Sequence, residues 1–555
     1  MATSIGISRD AKRSATGEPP GVEGDAHTRL AAIDIGSNSV RMLIADVSSG
    51  GIIRVVDELK AAPRLGAGVS ATGALGHAAM TSAVEALGRM ATLARQLGAA
   101  RIDVVATSAV RDASNREVFV ALVRRATGLE IRVLEGDEEA ELAFRSALAH
   151  FELGSGRAVV LDIGGGSLEI ALSADGLIER LASLPLGAVR LTEEFLADGD
   201  RRRRVRKLRK ATRAALKDIP MRAWRGARVI GSGGTFTNLA GMYLARQSAV
   251  TAQTVHATTM PRVEVEHILD MLEDLSPEER LEIPGLNAGR ADIIVAGIAV
   301  AAEVLARLDA RTLTISRYGI REGLLLKAAD ITPTVADPGE ARERSLVEFA
   351  LRCHYDAPHA HHVRELALSL FDAVGDRLGC EPGDRQLLAD AALLHDVGYH
   401  INYEKHHKHS YHLILHAAFL GVSPTEQVVI ANVARYHRGA APKKAHRNFG
   451  MLDKEDRQRI RRLAAILRVA DGLDRGHVGA VGRVKVRWLV RAVRITPVPR
   501  TGRHALRLEL WAATRKAGLL ARLADRPVEI IGRDGSVTPS GESQDEDSSV
   551  HLVAD

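Results

Sequence analysis

A hexapeptide pattern that occurs twice constrains this chain more than any other feature. Asp34–Ser39 reads DIGSNS and Asp162–Ser167 reads DIGGGS. Each copy follows a run of small and branched apolar residues, AAIDIG or VVLDIG, and precedes another, VRMLIADV or LEIAL. That order predicts two buried strands joined by a tight turn, twice. A turn rich in Gly, Ser and Asn gathers several backbone N–H groups into a concave nest for an anion. The aspartate closing each incoming strand is placed to hold a hard cation such as Mg²⁺. Two such hairpins facing one another make a phosphate clamp with a metal in its jaws.

The surrounding chain supplies a setting for them. Leu30–Ala149 alternates strand and helix patterns, and a second half restarts at Ala158 with the same hairpin. Alternation of this kind implies α/β layers, and the repeat implies two similar halves around a cleft. TPTVADPGE after Ala329 reads as a linker, with the main boundary near Pro333–Pro338. Patterns from Ala341 to Gly472 are helical; Arg483–Leu510 and Pro527–Ile531 return to alternating, β-like segments flanking a helix. The expected division is a disordered tail over 1–28, α/β subdomains over 29–155 and 156–332, and a helical domain over 340–480. A small α+β segment over 481–535 and a second disordered tail over 536–555 complete it.

A chain of 555 residues has room for these units. Its 46% hydrophobic and 26% charged fractions are those of an ordinary globular protein. Cys353 and Cys380 are the sole cysteines, which argues against a disulfide framework and fits a reducing cytosol. The first residues contain no apolar signal core, and the longest apolar stretch, Ile293–Leu305, is too short for a bilayer and contains Glu303. A cytoplasmic protein with no membrane partner is expected. Net charge is only +6, but the pI is near 9.3 and the cations are clustered, which admits an anionic partner. Nucleic acid is not expected, because aromatics are 3% and stacking platforms are scarce.

Three further segments carry candidate chemistry. GSGGT, with Gly233, Gly234 and Thr235, follows an apolar strand and opens a helix, where free N–H groups suit phosphate. Alone it would read as an ordinary helix cap; beside two DIG hairpins the phosphate reading is preferred. EGDEEAELAF at Glu135–Phe144 puts four acids at a helix start, either a solvated face matched to the helix dipole or the source of a water-orienting carboxylate. Arg111 in TSAVRD stands just past a strand end, as a phosphate fork or as half of a structural salt bridge. Glu169 follows the second turn by two residues and shares a face with its end.

DIGSNSVRMLIADV, ATSAVRDASN, LEGDEEAELAF, DIGGGSLEIAL, GSGGTFTNLAG and SRYGIREGLL, in this order, resemble the exopolyphosphatase/guanosine pentaphosphate phosphatase family. The resemblance covers about Leu30–Lys327 and implies the duplicated actin-like core of the actin, sugar kinase and Hsp70 superfamily. It implies hydrolysis of terminal phosphate from inorganic polyphosphate, or of the 5′-phosphate of pppGpp, with Mg²⁺ or Mn²⁺. It assigns catalysis to Glu139 and Glu169, metal to Asp34 and Asp162, and phosphate to Ser37, Asn38, Ser39, Gly165, Gly166 and Ser167, with Arg111, Gly233, Gly234 and Thr235 nearby. Family members are often homodimers. Leu168 departs from the family's usual Thr. A non-catalytic polyphosphate or alarmone sensor is the reading from another class; the intact Glu139, Asp34 and Asp162 argue against it.

The helical region has its own signature. His359, the His395–Asp396 dyad and Asp471 resemble the pattern of HD-domain metal phosphohydrolases, which implies a second metal site, active, metal-binding only, or relict. The run KHHKHSYH, with His406, His407, His409 and His412, and the downstream His437 offer further ligands. Arg435, His437, Arg438, Lys443 and Lys444 resemble the family's basic stretch and would line a polyphosphate channel if this domain folds against the cleft. The run RRRRVRKLRKATR at Arg201–Arg213 reads as a solvated helix face.

Overall fold

The first half alternates apolar strands with amphipathic helices, and each strand finds the neighbour its pattern needs. The computed structural model describes residues 27–48, 53–151, 153, 156–196, 201–247, 255–331, 338–417, 419, 421–500 and 506–532. The first sheet contains β1 (His27–Ile35), β2 (Val40–Ser48), β3 (Ile53–Ala61), β4 (Arg101–Ala106) and β5 (Ile131–Val133), in the order β3-β2-β1-β4-β5. The second contains β6 (Arg157–Ile163), β7 (Leu168–Ala174), β8 (Leu177–Leu184), β9 (Arg228–Ser232), β10 (Thr259–Pro261) and β11 (Thr312–Ile315), in the order β10-β11-β9-β6-β7-β8. β10 aside, the two orders are the same: an antiparallel three-strand meander whose first strand pairs in parallel with the next crossover strand. The repeat seen in two hexapeptides is therefore a repeat of whole sheets.

The halves interlock. The helix Gly136–His150 sends Leu142 into the first half's core, with Leu30 and Leu43, and Phe144 and Ala147 into the second's, with Val160 and Ile230. The helix Ile320–Ala328 returns to the first sheet through Leu324 and Leu325. Gly323 permits that return, since a Cβ there would lie 2.1 Å from the Leu142 carbonyl oxygen. The apolar run at Ile293–Leu305 becomes the buried helix Ile294–Leu308. Its one acid, Glu303, is held by Arg209 at 2.5 Å and Arg213 at 3.0 Å. Those arginines belong to the basic run, whose helix Arg201–Ala215 buries Val205, Leu208 and Thr212 and turns its other cations outward.

The helical region runs from Pro338, so the end of the supposed linker is already helix; residues 332–337 lie outside the described residues. Helices Ala357–Leu378, Asp384–Leu394, His406–His416, Pro424–Arg435 and Lys454–Gly472 pack around one core. That core continues without a break into β12 (Val481–Trp488), β13 (Val493–Pro499), the helices Arg507–Lys516 and Gly518–Ala524, and β14 (Val528–Ile530). The alternating pattern extended to Leu510 is corrected here: Arg507–Leu510 is helical, because Leu506, Leu510 and Ala513 face the shared core at helical spacing. His27 and Thr28, placed in the first tail, open β1; residues 1–26 and the second tail, 536–555, lie outside the described residues. Among the described residues, no helix is long and apolar enough to cross a membrane.

Candidate active site

Both hexapeptides close the same turn. Gly36 N–H donates to the Ser39 carbonyl at 3.1 Å, and Gly164 N–H to the Ser167 carbonyl at 3.0 Å. The two turns face each other in direct contact: a Cβ on Gly165 would lie 2.7 Å from Ser37 Cβ. Gly166 is pressed against Ser108 and Ser37, where a Cβ would come within 2.2 Å of Ser108 Oγ. Behind the second turn Gly187 approaches so closely that its own Cβ would lie 2.3 Å from the Gly166 backbone. The carbonyls of Gly164 and Gly165 accept from the N–H groups of Ala188, Val189 and Arg190, which seat the helix Ala188–Phe195 against the turn.

Between the turns lies a cleft of about 810 Å³, counted out to its open mouth. Of the candidate residues, Asp34, Ser37, Asn38, Ser39, Glu139, Asp162, Gly165, Ser167, Glu169, Gly233 and Gly234 line it. Gly233 takes a left-handed backbone, φ 89°, and brings the chain against Asp162 Oδ1, 2.3 Å from where a Cβ would be. The four acids of the helix start separate by geometry. Glu138 accepts from the Glu135 N–H at 3.1 Å and pairs with Arg132, Asp137 is exposed, and Glu139 alone turns inward, 2% exposed. The dipole-matched face and the buried carboxylate are thus both present, on different residues.

Three candidates sit elsewhere. Arg111 is not in the lining: its guanidinium pairs with Glu139 and donates to the Leu134 carbonyl at 2.7 Å, the salt-bridge alternative, because a buried carboxylate needs a partner. Gly166 is pressed against Ser108 and Ser37 without lining the cleft, and Thr235, fully buried, faces Gly297 of the core helix.

The carboxylates of the cleft share one electrostatic condition. Burial pushes Asp34 up to about 6, against the pull of Arg321 and Arg41. Burial likewise carries Asp162 to about 6, although Ser232 donates to it. Glu169 rises to about 8, through burial, then the nearby Asp162, despite the Ser183 hydroxyl that donates to it at 3.0 Å. Glu139 is raised well above the usual range by burial and by Glu169, and Arg111 only partly offsets this. Asp34 Oδ1 is buried with no hydrogen-bond partner. Crowded acids of raised pKa and an orphaned carboxylate oxygen are oxygen donors of the kind Mg²⁺ or Mn²⁺ takes, although among the described residues no three of them converge as the ligand groups of the helical body do.

Sequence reasoning missed the cations of the cleft. Arg41, Arg290, Arg317 and Arg321 line it, with Glu322. Arg290 lies along Gly234, whose Cβ would fall 2.0 Å from the guanidinium carbon, and burial lowers its pKa to about 10. Among the described residues neither Arg290 nor Arg41 has a carboxylate within 4.0 Å. Arg317, Arg321 and Glu322 lie inside the SRYGIREGLL motif and could have been read there. Arg290 has no motif signal, only its place before an apolar helix.

The helical body carries a second group of ligands. His359, His395 and Asp471 form one triad able to hold a metal ion, Asp396, His406 and His437 another, and His477 joins His359 and Asp396 in a third. The His395–Asp396 dyad lies just beyond the helix Asp384–Leu394, not within it. Gly398 lets the helix His406–His416 approach, since a Cβ would lie 2.1 Å from the His406 carbonyl oxygen. Of the histidine run only His406 reaches the group. His437, 1% exposed, also points into it and so is no channel residue. Arg435 stacks over Tyr411 and Tyr436, Arg438 is half-buried, and Lys443 and Lys444 are exposed. None of these lines the cleft, whose lining runs only from Asp34 to Glu322.

The profile of the Ppx/GppA phosphatase family matches residues 43–331, and that of its domain III matches residues 341–495. Exopolyphosphatase 1 of Mycobacterium leprae is 33% identical over 328 residues, covering 58% of this chain and 94% of that protein. Guanosine-5′-triphosphate,3′-diphosphate pyrophosphatase of Vibrio vulnificus is 29% identical over 416 residues, 74% of this chain and 80% of that one. The crystal structure of an exopolyphosphatase from Cytophaga hutchinsonii is similar with a TM-score of 0.52 at 25% identity, covering 56% of this chain and all of that one. Two facing hairpins, a cleft of buried acids and unpaired arginines, and these matches across both bodies lead to one conclusion: the chain belongs to the Ppx/GppA phosphatase family.

Proposed function

We propose that the chain is an exopolyphosphatase, releasing terminal phosphate from inorganic polyphosphate with water and Mg²⁺. The observation that carries this reading is the pairing, in one cleft, of a buried carboxylate with two phosphate-sized turns and arginines that have no acid of their own. Asp34, Asp162 and Glu169 would hold Mg²⁺ (Mn²⁺ also suits them), and the ion would neutralise charge on the terminal phosphoryl group. The N–H groups of Ser37–Ser39 and Gly165–Ser167 hold the phosphoryl oxygens, and Arg290 and Arg41 offset charge further along the chain. Glu139 orients the attacking water and takes its proton; burial and Glu169 raise its pKa and so its basicity. Arg111 keeps that carboxylate in place.

The same reading takes the duplicated sheet order as an actin-like core over 29–155 and 156–332, followed by an HD-type helical domain over 340–480 and an α+β segment over 481–535. The compartment would be the cytoplasm. A second substrate, pppGpp, is favoured by the length over which the Vibrio vulnificus protein aligns.

Phosphate release from long-chain polyphosphate and from pppGpp, side by side with Mg²⁺, tests the reading on wild type and Glu139→Ala. We expect faster release from polyphosphate and a fall of ~10²–10⁴-fold in the variant. Release from pppGpp alone would transfer the function to the alarmone. Activity surviving in Glu139→Ala would move it out of the cleft.

A further inference from the structure

The mouth of the cleft carries an arginine laid on an aromatic ring. Four arginines line the cleft, and of these Arg317 alone is exposed; Arg41 and Arg321 are half-buried and Arg290 is buried. Among the described residues Arg317 has no carboxylate within 4.0 Å. Its guanidinium carbon lies over the Tyr318 ring, 5.6 Å from the ring centre. That ring is stacked on the His150 imidazole, with centres 3.9 Å apart and planes 20° from parallel. His256 meets Tyr318 edge-on at 4.8 Å and leans on Phe151 at 5.0 Å. Burial lowers the pKa of both imidazoles, so near neutrality neither sets a second cation beside the guanidinium.

The backbone fixes the same place. Ser316 Oγ accepts the Tyr318 N–H at 3.2 Å and donates to the Tyr318 carbonyl at 2.8 Å, so Arg317 stands at the apex of a clamped turn. The Ser316 N–H donates to the Gly231 carbonyl at 2.8 Å, which ties the turn to β9. Just past it, a Cβ on Gly319 would lie 3.5 Å from Asp162 Oδ2, so the segment runs on along the acids of the cleft. His150 ends the helix whose first turn carries Glu139, and its Nδ1–H donates to the Ser146 carbonyl at 2.6 Å. Tyr318 is thus gripped by the helix that both halves share.

We propose that Arg317 holds the part of the polyphosphate chain that leaves the cleft, behind the terminal phosphoryl group, and that Tyr318, stacked on His150, is its positioning residue. The assignment rests on the exopolyphosphatase reading. A chain end looks the same at any chain length, so only contacts behind it distinguish a long polyanion from a single phosphate. The exposed arginine stands where such a chain must emerge, whereas the buried Arg290 and half-buried Arg41 lie deeper. A guanidinium laid on an aromatic ring keeps its N–H edges free for phosphate oxygens. It also enters the complex already oriented, so less side-chain freedom is lost on binding. Both effects act on the hold on the chain and not on the attacking water, which places them in KM.

The test is steady-state phosphate release from long-chain polyphosphate by the full chain with Mg²⁺, with orthophosphate as competing product. Arg317→Gln should raise KM ~10-fold and keep kcat within about twofold. It should leave the inhibition constant of orthophosphate unchanged, because orthophosphate occupies only the turns. Tyr318→Leu should raise KM ~2–5-fold, and Tyr318→Phe, which keeps the ring, should restore it. Tyr318→Leu added to Arg317→Gln should change nothing further. Unchanged KM in Arg317→Gln, or an orthophosphate constant that rises with it, overturns the Arg317 assignment. Additive effects of the two substitutions, or a loss confined to kcat in Tyr318→Leu, overturn the positioning role. Should thermal midpoints show that Tyr318→Leu fails to fold, Arg317→Lys decides. Its ammonium keeps the charge without the stacked fork, so KM should still rise ~3-fold; a wild-type KM overturns the positioning role. No release from wild type sinks the exopolyphosphatase reading and this assignment with it, whereas release with KM unchanged in Arg317→Gln sinks the assignment alone.

Discussion

The two hairpins close the same turn in the same register, and they differ where it matters for charge. Opposite Asp34 in the first ladder stands Arg41; opposite Asp162 in the second stands Glu169. Each is the second residue past its turn, so one duplicated frame sets a cation on one wall of the cleft and a third carboxylate on the other. The consequence is visible in the titration of the walls. Asp34 and Asp162 are both pushed up by burial to about 6, so the walls differ in the residue opposite each: Arg41 on one, and on the other Glu169, which burial and Asp162 raise to about 8. One residue in each copy of the duplicated hairpin thus sets the difference: Arg41 puts a cation on one wall, and Glu169 puts a further carboxylate on the other.

The largest expected effect comes from parting the walls. Gly187→Ala puts a Cβ 2.3 Å from the Gly166 backbone, which cannot yield as a side chain can. Displacing the second turn by about 1 Å should cost ~10²-fold in kcat with the first turn intact. Steady-state rates on polyphosphate check this; a rate within a fewfold of wild type would show that the second turn does not position the phosphoryl group.

Glu169→Gln sharpens the contrast between the walls. The carboxyl is protonated in the fold up to about pH 8 but ionised in the unfolded chain above about 4.5. Between those values the folded state binds more protons, so stability falls as pH rises through this window and levels off above it. The buried His150 and His256, whose pKa values are lowered by burial, add an opposing upward slope while the unfolded chain's imidazoles still titrate, a contribution that Glu169→Gln leaves unchanged. In denaturant titrations of the Mg²⁺-free chain from pH 6.5 to 8, the slope of stability against pH should therefore be more positive in Glu169→Gln than in wild type, by up to ~1.4 kcal/mol per pH unit. Equal slopes would place the titrating carboxyl elsewhere.

The smallest effect is expected on the opposite wall. Arg41→Gln should weaken polyphosphate binding and reduce the dependence of log K on log salt by about one unit, as loss of one phosphate contact does for nucleic acids. Binding titrations at several salt concentrations read it; an unchanged slope would mean that Arg41 serves Asp34 and not the substrate.

Much of this was legible along the chain. Strand and turn patterning around DIGSNS and DIGGGS foretold both hairpins, and the acid run at Glu135–Glu139 marked the helix that carries the buried Glu139. Other features were not legible. Arg111 reads equally as a phosphate fork or a salt bridge until Glu139 is seen buried beside it. His437 sits in a basic segment yet turns away from it, and Lys516 lies in a helix with no motif at all.

Local pattern determines what depends on neighbours within a few residues: strand alternation, a four-residue turn, a capped helix start, a basic run solvated on one face. The sequence by itself therefore settled the α/β layers, the helical region and eleven of the residues that line the cleft. Tertiary structure alone decided which charges meet across long separations. Arg111 finds Glu139, Arg290 finds Gly234, and Lys516 finds Asp471. The physical reason is that a buried charge is costly without a partner, and whether it has one, as Arg111 and Lys516 do, or has none, as Arg290, is decided by packing and not by proximity along the chain.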